Sequence, residues 1–301
     1  MAARRVHARL FGVLGDPVDH SLSPAMQNAA FATAHLPHLY LRYRVAPPAL
    51  EEAFADARRL HMGGLNLTVP LKEAALPFCD VLTPEARRIG AVNTLLFHGD
   101  RLVGDNTDGR GFLRALGDRV RLGGARAVLI GAGGSARAIG VALVEAGCGR
   151  LTVANRTPGR GEHLAARLAA LGCPDTRAIS LAALAGGDPL ADAALVVNTT
   201  PLGLGDGRLA LRYAASPPRC LFVDLVYGAR PTPFLTAAAR ARRATLDGGP
   251  MLLHQGALAF EAWTGRRAPL TVMASALGRA GLVLTQPPAA RTVRARRPPR
   301  P

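Results

Sequence analysis

The chain of 301 residues contains few aromatic residues, and none of its apolar stretches approaches the length of a membrane span. Aromatic side chains make up only 5% of the residues. A helix that crosses a bilayer needs about 20 consecutive apolar residues, so no transmembrane segment is expected. The basic start is followed by no apolar segment, which argues against a secretory signal. We therefore predict a soluble protein without a membrane partner.

Cysteine is also scarce, and the four cysteines form no C-x-x-C pair; they are Cys79, Cys148, Cys173 and Cys220. Scattered cysteines of this kind are typical of reduced thiols in a cytosolic protein. The sequence therefore predicts a cytoplasmic location and indicates no metal site.

Acidic residues are absent from both ends of the chain, which carry half of the formal net charge of +16. A basic extension covers residues 1–9, and a tail rich in proline and arginine covers residues 286–301. We expect the tail to be disordered. No aromatic residues alternate with these arginines to stack on bases, so binding to nucleic acid is not favoured.

Lysine is the rarest charged residue, because 36 of the 37 basic residues are arginine and the exception is Lys72. A lysine amine can lose and regain a proton when it is partly buried, whereas a guanidinium cannot. Lys72 is therefore a candidate catalytic residue. The alternative is that one surface lysine has survived by chance.

A glycine-rich turn at residues 131–135, Gly-Ala-Gly-Gly-Ser, follows an apolar strand expected at 127–130 and precedes a helical pattern. Glycines allow the sharp turn and let a pyrophosphate approach the free amides of the helix. The third glycine of the G-x-G-x-x-G pattern is replaced by Ala136. The turn predicts a dinucleotide site formed by Gly131, Ala132, Gly133, Gly134 and Ser135.

The next expected strand, at 151–155, ends in Asn155, Arg156 and Thr157, at the place where an NAD site has an acidic residue for the ribose. No acid is present there. Arg156 and Arg160 can instead bind a 2′-phosphate, which favours NADP(H). The alternative is a solvated loop in an arginine-rich chain.

Two serines lie at the start of a helix predicted to run to about residue 34. Ser23 is expected to cap this helix, with Pro24 in its first turn. Capping leaves no role for Ser21, so we also predict that Ser21 and Ser23 bind a carboxylate at this helix end.

Further polar residues follow predicted strands, where sites of open α/β sheets form. Asn66 and Thr68 lie at the end of a strand expected at 64–69, and Lys72 lies in the first turn after it. Asn93 opens the next strand, and Asp108 precedes a helix expected to begin near residue 111. A last strand is expected at 220–227. Turn chemistry alone explains one such cluster, but three clusters together suggest a hydroxylated ligand.

Taken together, these motifs resemble those of the shikimate dehydrogenase family over residues 10–284. The resemblance implies two α/β domains. An open, mostly parallel substrate domain would comprise residues 10–112 and 250–285, because the C-terminal helices return to it. A Rossmann-type, doubly wound NADP domain would comprise residues 113–249.

The resemblance also implies the reaction, which is the reversible NADPH-dependent reduction of 3-dehydroshikimate to shikimate for aromatic amino-acid biosynthesis. Lys72 and Asp108 would be the catalytic pair. The residues implied for the substrate are Ser21, Ser23, Asn66, Thr68, Lys72, Asn93, Asp108, Tyr227 and Gln255. Leu225 and Gly248 would join the cofactor site.

One position departs from the resemblance, since many family members have histidine where this chain has Gln27. Glutamine there is similar to the branch that also accepts quinate, so a broader quinate/shikimate specificity stays open. Our interpretation is that Gln27 packs behind its helix and that shikimate is preferred. A catalytically silent NADP-binding regulator is a second alternative, and a homodimer is left open.

Overall fold

The computed structural model describes residues 7–202 and 209–282. The predicted tail at 286–301 and most of the extension at 1–9 lie outside these ranges. The strands are β1 Leu10–Gly15, β2 Leu39–Arg44, β3 Gly64–Leu67, β4 Val81–Leu82, β5 Thr94–His98, β6 Arg101–Asp105, β7 Arg126–Ile130, β8 Arg150–Asn155, β9 Thr176–Ser180, β10 Leu195–Asn198, β11 Leu221–Asp224 and β12 Ala244–Leu246. The helices are α1 Ser23–Thr33, α2 Leu50–Arg59, α3 Leu71–Ala74, α4 Pro84–Ile89, α5 Asp108–Leu116, α6 Gly134–Glu145, α7 Pro158–Ala170, α8 Leu181–Ala185, α9 Pro233–Arg240, α10 Gly249–Thr264 and α11 Leu270–Arg279.

The first six strands form one mixed sheet in the order β2-β1-β3-β5-β6-β4. Strands β2, β1 and β3 are parallel to one another, whereas β5 runs antiparallel to both of its neighbours. β3 is buried along its whole length, as expected for an apolar strand covered on both faces. Because Leu14 pairs with Leu67, the carboxyl ends of β1 and β3 lie side by side. The polar residues that follow these two strands therefore share one edge of the sheet.

The last six strands form a fully parallel sheet in the order β12-β11-β10-β7-β8-β9. β7, the first of these strands along the chain, lies between β8 and β10. Consecutive strands are thus added on both sides of β7, which is the doubly wound order. The connection after β7 leads to β8 on one side of the sheet, and the connection after β10 leads to β11 on the other side. A crevice therefore forms between the carboxyl ends of β7 and β10.

The C-terminal helices α10 and α11 return to the first sheet. Phe260 and Met273 share one buried cluster with Phe11 and Phe31 of the N-terminal half. The indole Nε1 of Trp263 donates a hydrogen bond to the Leu95 carbonyl oxygen at 3.0 Å. The predicted fold class, with its two α/β domains and returning helices, is confirmed.

Two predicted element boundaries were wrong by three residues, and the strand expected at 64–69 ends two residues early, at Leu67. Helix α5 begins at Asp108 rather than near residue 111, where the Asp108 amide donates to Asn106 Oδ1 at 3.0 Å. Strand β11 ends at Asp224 rather than at residue 227, because Asp224 Oδ1 accepts from the Val226 amide at 3.1 Å and turns the chain. In both cases a side chain next to the backbone competes with the regular pattern.

Within residues 7–202 and 209–282, no helix has both the length and the apolar character needed to cross a membrane. The same part of the chain contains no group of three or more His, Cys, Asp or Glu side chains placed to hold a metal ion.

Candidate active site

The two predicted catalytic residues meet at the edge of the first sheet. Lys72 lies in α3, which follows β3, and Asp108 is the first residue of α5. The Lys72 ammonium donates to Asp108 Oδ2 at 2.6 Å and to Ser135 Oγ at 3.1 Å. The two side chains are only 13% and 4% exposed. A buried ion pair is costly unless further hydrogen bonds satisfy it, so the surrounding donors matter.

Asn93 supplies one of these donors. Its side-chain Nδ2 donates to Asp108 Oδ1 at 2.7 Å and lies 3.4 Å from Gln255 Oε1. Each oxygen of the Asp108 carboxylate therefore has a fixed partner, Asn93 on one side and Lys72 on the other. This arrangement orients the carboxylate and holds the ammonium beside it.

A cavity of about 460 Å³ opens beside the ion pair. All nine residues predicted for the substrate line it, together with Leu225 and Gly248, which were predicted for the cofactor. Gln27 does not line this cavity; its side chain is fully buried and Nε2 donates to the Gly256 carbonyl oxygen at 2.8 Å. The interpretation that Gln27 packs behind its helix, against α10, is confirmed.

Asn66 is tied down more tightly than the sequence indicated. Its Nδ2 donates to the Asn93 carbonyl oxygen and to Thr94 Oγ1, both at 3.1 Å. The hydroxyl of the fully buried Tyr40 donates to Asn66 Oδ1 at 2.7 Å. Both amide hydrogens are thus used, and only Oδ1 keeps a free lone pair for a ligand hydroxyl. Sequence reasoning missed Tyr40, because nothing near it in the sequence points to Asn66.

The serine end of the cavity also differs from expectation. Helix α1 starts at Ser23, but no side chain caps it, so the prediction of Ser23 as the cap was wrong. The Ser23 amide instead lies 3.3 Å from Ser21 Oγ, which acts as its acceptor.

Burial raises the pKa of the nearby Tyr227 phenol above its usual value, so this group stays a neutral donor near pH 7. Arg42, which sequence reasoning missed, donates from Nε to the Ser21 carbonyl oxygen at 2.8 Å.

A second cavity of about 310 Å³ lies at the glycine-rich turn. It is lined by the remaining nine residues predicted for the cofactor, which are Gly131, Ala132, Gly133, Gly134, Ser135, Asn155, Arg156, Thr157 and Arg160. Gly131 has φ +111°, a backbone conformation that residues other than glycine rarely adopt. Helix α6 begins at Gly134, within this turn, and its first amides have no partner within the helix. Unpaired amides and two guanidinium groups are a donor set that fits the phosphates of NADP.

The two cavities meet at Lys72 and Ser135, which line both of them, as do Thr199 and Thr200. A Cβ atom added to Gly134 would lie 2.8 Å from Lys72 Cβ, so the start of α6 approaches the lysine directly. Sequence reasoning assigned no site role to Thr199 and Thr200, which directly follow β10. That position at the carboxyl end of β10 was the available signal.

The two arginines predicted for the 2′-phosphate are not equivalent. Arg156 is exposed and has no side-chain hydrogen bond or ion pair with any of the described residues. Arg160 Nη2, in contrast, lies 2.9 Å from Glu73 Oε1, on the opposite side of the cleft. The Asn155 side chain donates to the Thr157 carbonyl oxygen at 2.8 Å, and this bond fixes the loop that carries Arg156.

Asp224 lies completely buried at the end of β11, just before the cavity residues at 225–227. Its carboxylate accepts from Asn198 Nδ2 at 3.0 Å and from Thr232 Oγ1 at 2.6 Å. Burial raises the pKa of Asp224 from 3.8 to about 6, although these hydrogen bonds oppose the increase. Asp224 thus ties together β10, β11 and the chain that leads into the cavity.

A doubly wound domain with a phosphate-binding turn, joined to a polar cavity by a lysine–aspartate pair, defines the class of dinucleotide-dependent dehydrogenases. Comparisons with known proteins narrow this class. A model of the shikimate dehydrogenase substrate binding domain matches residues 13–95. A shikimate / quinate 5-dehydrogenase model matches residues 115–186, and a model of the shikimate 5′-dehydrogenase C-terminal domain matches residues 250–277.

Individual proteins match over most of their length. The shikimate dehydrogenase (NADP(+)) of Symbiobacterium thermophilum is 44% identical over 280 residues, which cover 89% of this chain and 93% of that protein. The shikimate 5-dehydrogenase of Thermus thermophilus, in complex with NADP(H) and shikimate, has 41% identity and a TM-score of 0.77, covering 90% of this chain and 99% of that one. A quinate dehydrogenase from Corynebacterium glutamicum, in complex with NAD, has 30% identity and a TM-score of 0.79 over 90% and 99% of the two chains. This chain belongs to the shikimate dehydrogenase family.

The raised pKa of Asp224 predicts a pH-dependent stability. The folded protein holds the Asp224 proton more tightly than the unfolded chain, so this group favours folding below pH 3.8 and loses that contribution as the pH rises through 6. Between pH 4 and 7, the free energy of unfolding of the wild type should fall relative to that of Asp224→Asn by roughly 1–3 kcal/mol. Urea unfolding of both proteins across this range measures the difference, and curves that run parallel would contradict it.

Proposed function

We propose that this chain is a cytoplasmic dehydrogenase that interconverts 3-dehydroshikimate and shikimate with NADP(H), in the synthesis of aromatic amino acids. The observation that carries the proposal is the ion pair of Lys72 and Asp108, at 2.6 Å, where the polar cavity meets the dinucleotide cavity. The family membership and the free thiols of all four cysteines support it.

The cofactor would be held by the turn at residues 131–135, by the loop at 155–157 and by Arg160. When bound, NADP(H) supplies hydride transfer between its nicotinamide C4 and C3 of the substrate. Leu225 and Gly248 line the substrate cavity beyond the turn, and we assign them to the nicotinamide end.

The protein's own part in the reaction is proton transfer at the C3 oxygen. An ammonium has three N–H donors, and Lys72 gives one to Asp108 and one to Ser135. The third donor remains for the substrate oxygen. In reduction it stabilises the developing alkoxide and supplies the proton, and in oxidation the pair accepts that proton. Asn93 holds the Asp108 carboxylate so that the ammonium keeps this position.

The rest of the cavity would orient the substrate. Ser21, Ser23 and the neutral phenol of Tyr227 offer donors for its carboxylate. The ring hydroxyls would be bound by Asn66, through the free lone pair of Oδ1, and by Thr68, Asn93, Asp108 and Gln255. Burial in a cleft between two domains excludes water from the reacting atoms.

Two alternatives remain distinct from this proposal. A quinate/shikimate dehydrogenase of broader specificity would use the same residues, and the similarity to a quinate dehydrogenase keeps it in view. A silent NADP-binding regulator would need no working pair, and the intact contact between Lys72 and Asp108 argues against it.

Lys72→Arg should abolish turnover. A guanidinium is larger than an ammonium and cannot share its proton. We expect kcat to fall by about 10² to 10⁴, with NADPH binding, measured by fluorescence, nearly unchanged. Since Lys72 is the only lysine, the variant has no side-chain amine that could substitute. A variant that keeps more than half of the wild-type kcat would remove Lys72 from the mechanism.

Arg156→Ala should weaken binding of NADP far more than binding of NAD, because the exposed guanidinium has no partner of its own among the described residues. A charge-assisted contact contributes about 1.5–3 kcal/mol, so Kd for NADP should rise about tenfold or more. Arg150→Ala, which removes an arginine paired with Asp175 at the other end of β8, is the matched control. Equal losses for NADP and NAD would show that the loop only supports the fold.

Shikimate should be preferred over quinate. Quinate carries an added hydroxyl at the carbon that bears the carboxylate, and a desolvated hydroxyl without a partner costs about 1–3 kcal/mol. We expect kcat/KM for quinate to be more than about tenfold lower, a difference of about 1.4 kcal/mol. Gln27→His should leave the ratio unchanged, because Gln27 faces α10 and not the cavity. Comparable kcat/KM values for the two acids in the wild type would favour the broader quinate/shikimate enzyme.

A further inference from the structure

Glu73 follows Lys72 in α3 and carries the one carboxylate among the described side chains that line the dinucleotide cavity. Its Oε1 lies 2.9 Å from Arg160 Nη2, and its Oε2 lies 3.1 Å from Arg137 Nη2. Glu73 belongs to the substrate-binding half, whereas Arg137 belongs to α6 and Arg160 to α7 of the other half. A single acidic side chain thus bridges two cations across the cleft.

This carboxylate lies beside the phosphate-binding turn and in contact with the guanidinium of Arg160. A Cβ atom added to Gly133 of the phosphate-binding turn would lie 4.0 Å from Glu73 Oε1. Glu73 also occupies an N–H of Arg160, the guanidinium that would otherwise be free for the 2′-phosphate.

We propose that Glu73 competes with the cofactor 2′-phosphate for Arg160 and thereby limits the preference of the enzyme for NADP over NAD. The proposal rests on the assignment of NADP to this cavity. When the 2′-phosphate binds, Arg160 exchanges the carboxylate for the phosphate. NAD has no 2′-phosphate and leaves the contact between Glu73 and Arg160 in place.

Arg137 makes this exchange feasible. It is only 21% exposed and keeps its own contact with Oε2 of Glu73, so the carboxylate is not left unpaired when Arg160 moves away. Arg160 is held by weaker contacts, because its side chain is 55% exposed and its other contact, with the Ala132 carbonyl oxygen, is long at 3.5 Å. The competition therefore concerns Arg160 alone.

Two small probes isolate the 2′-phosphate. Adenosine 2′,5′-bisphosphate and 5′-AMP differ only in that group, and neither reaches the nicotinamide end of the cleft. Calorimetric titration of the full-length protein gives Kd for each. Glu73→Gln should tighten binding of the bisphosphate by about 3- to 10-fold and change binding of 5′-AMP by less than about twofold.

A matched control is Glu162→Gln, which removes an exposed carboxylate two residues from Arg160 that makes no ion pair within the described part of the chain. It should change neither Kd by more than about twofold, because exposed charges are strongly screened. Thermal melting of each variant, followed by circular dichroism, verifies that the titrated proteins are folded.

A double-variant cycle with Arg160→Gln tests the competition itself. In the Arg160→Gln background, Glu73→Gln should no longer tighten binding of the bisphosphate. If the gain persists without Arg160, or if Glu73→Gln weakens or leaves unchanged the binding of the bisphosphate, the proposal is wrong. If the wild type binds the two probes equally, the NADP assignment fails and this proposal fails with it. A wild type that prefers the bisphosphate but does not respond to Glu73→Gln overturns this proposal alone.

Discussion

Lys72 makes two contacts that between them join the halves of the molecule. Its ammonium binds Asp108 within the first half and Ser135 at the start of α6 in the second. The contact with Ser135 requires that the carboxyl edges of the two sheets face each other, since α3 follows a strand of one sheet and α6 follows a strand of the other. The complete site therefore exists only when the two halves are in contact, because the same ammonium binds a residue of each half.

Burial of this ion pair requires a surrounding network of neutral hydrogen-bonding groups. Asn93 holds Asp108, while its carbonyl oxygen accepts from Asn66, and Tyr40 holds Asn66 from behind. Each of these groups is buried, and a buried polar group without a partner costs about 1–3 kcal/mol. The network thus stabilises the pair and at the same time restricts which hydrogen bonds remain for a ligand.

Charged contacts also join the two halves away from the pair. Arg167 of α7 donates to the carbonyl oxygens of Arg87 and Arg88 near the end of α4, and Arg88 pairs with Glu145 of α6 at 3.1 Å. Together with the bridge made by Glu73, these contacts make a polar interface around the cleft. Interfaces of this kind adapt more readily than apolar ones, which suits a cleft that must admit a cofactor and a substrate.

The sequence by itself determined the order of the elements, the glycine-rich turn, the arginine loop and the unusual status of Lys72, because these depend on local spacing and on side-chain chemistry. Several residues of the substrate cavity, such as Tyr227 and Gln255, were instead implied by the family resemblance. Sequence reasoning failed where side chains compete locally with the backbone, as at Ser23, where the hydroxyl of Ser21 accepts the amide, and at Asp224, which ends β11 early. Only the tertiary structure decided which donors are already used: Asn66 by Tyr40 and Thr94, Lys72 by Ser135, and Arg160 by Glu73. The partners of Lys72 and Arg160 lie 63 and 87 residues away along the chain, and no local pattern of residues encodes a contact that forms only when distant segments pack together.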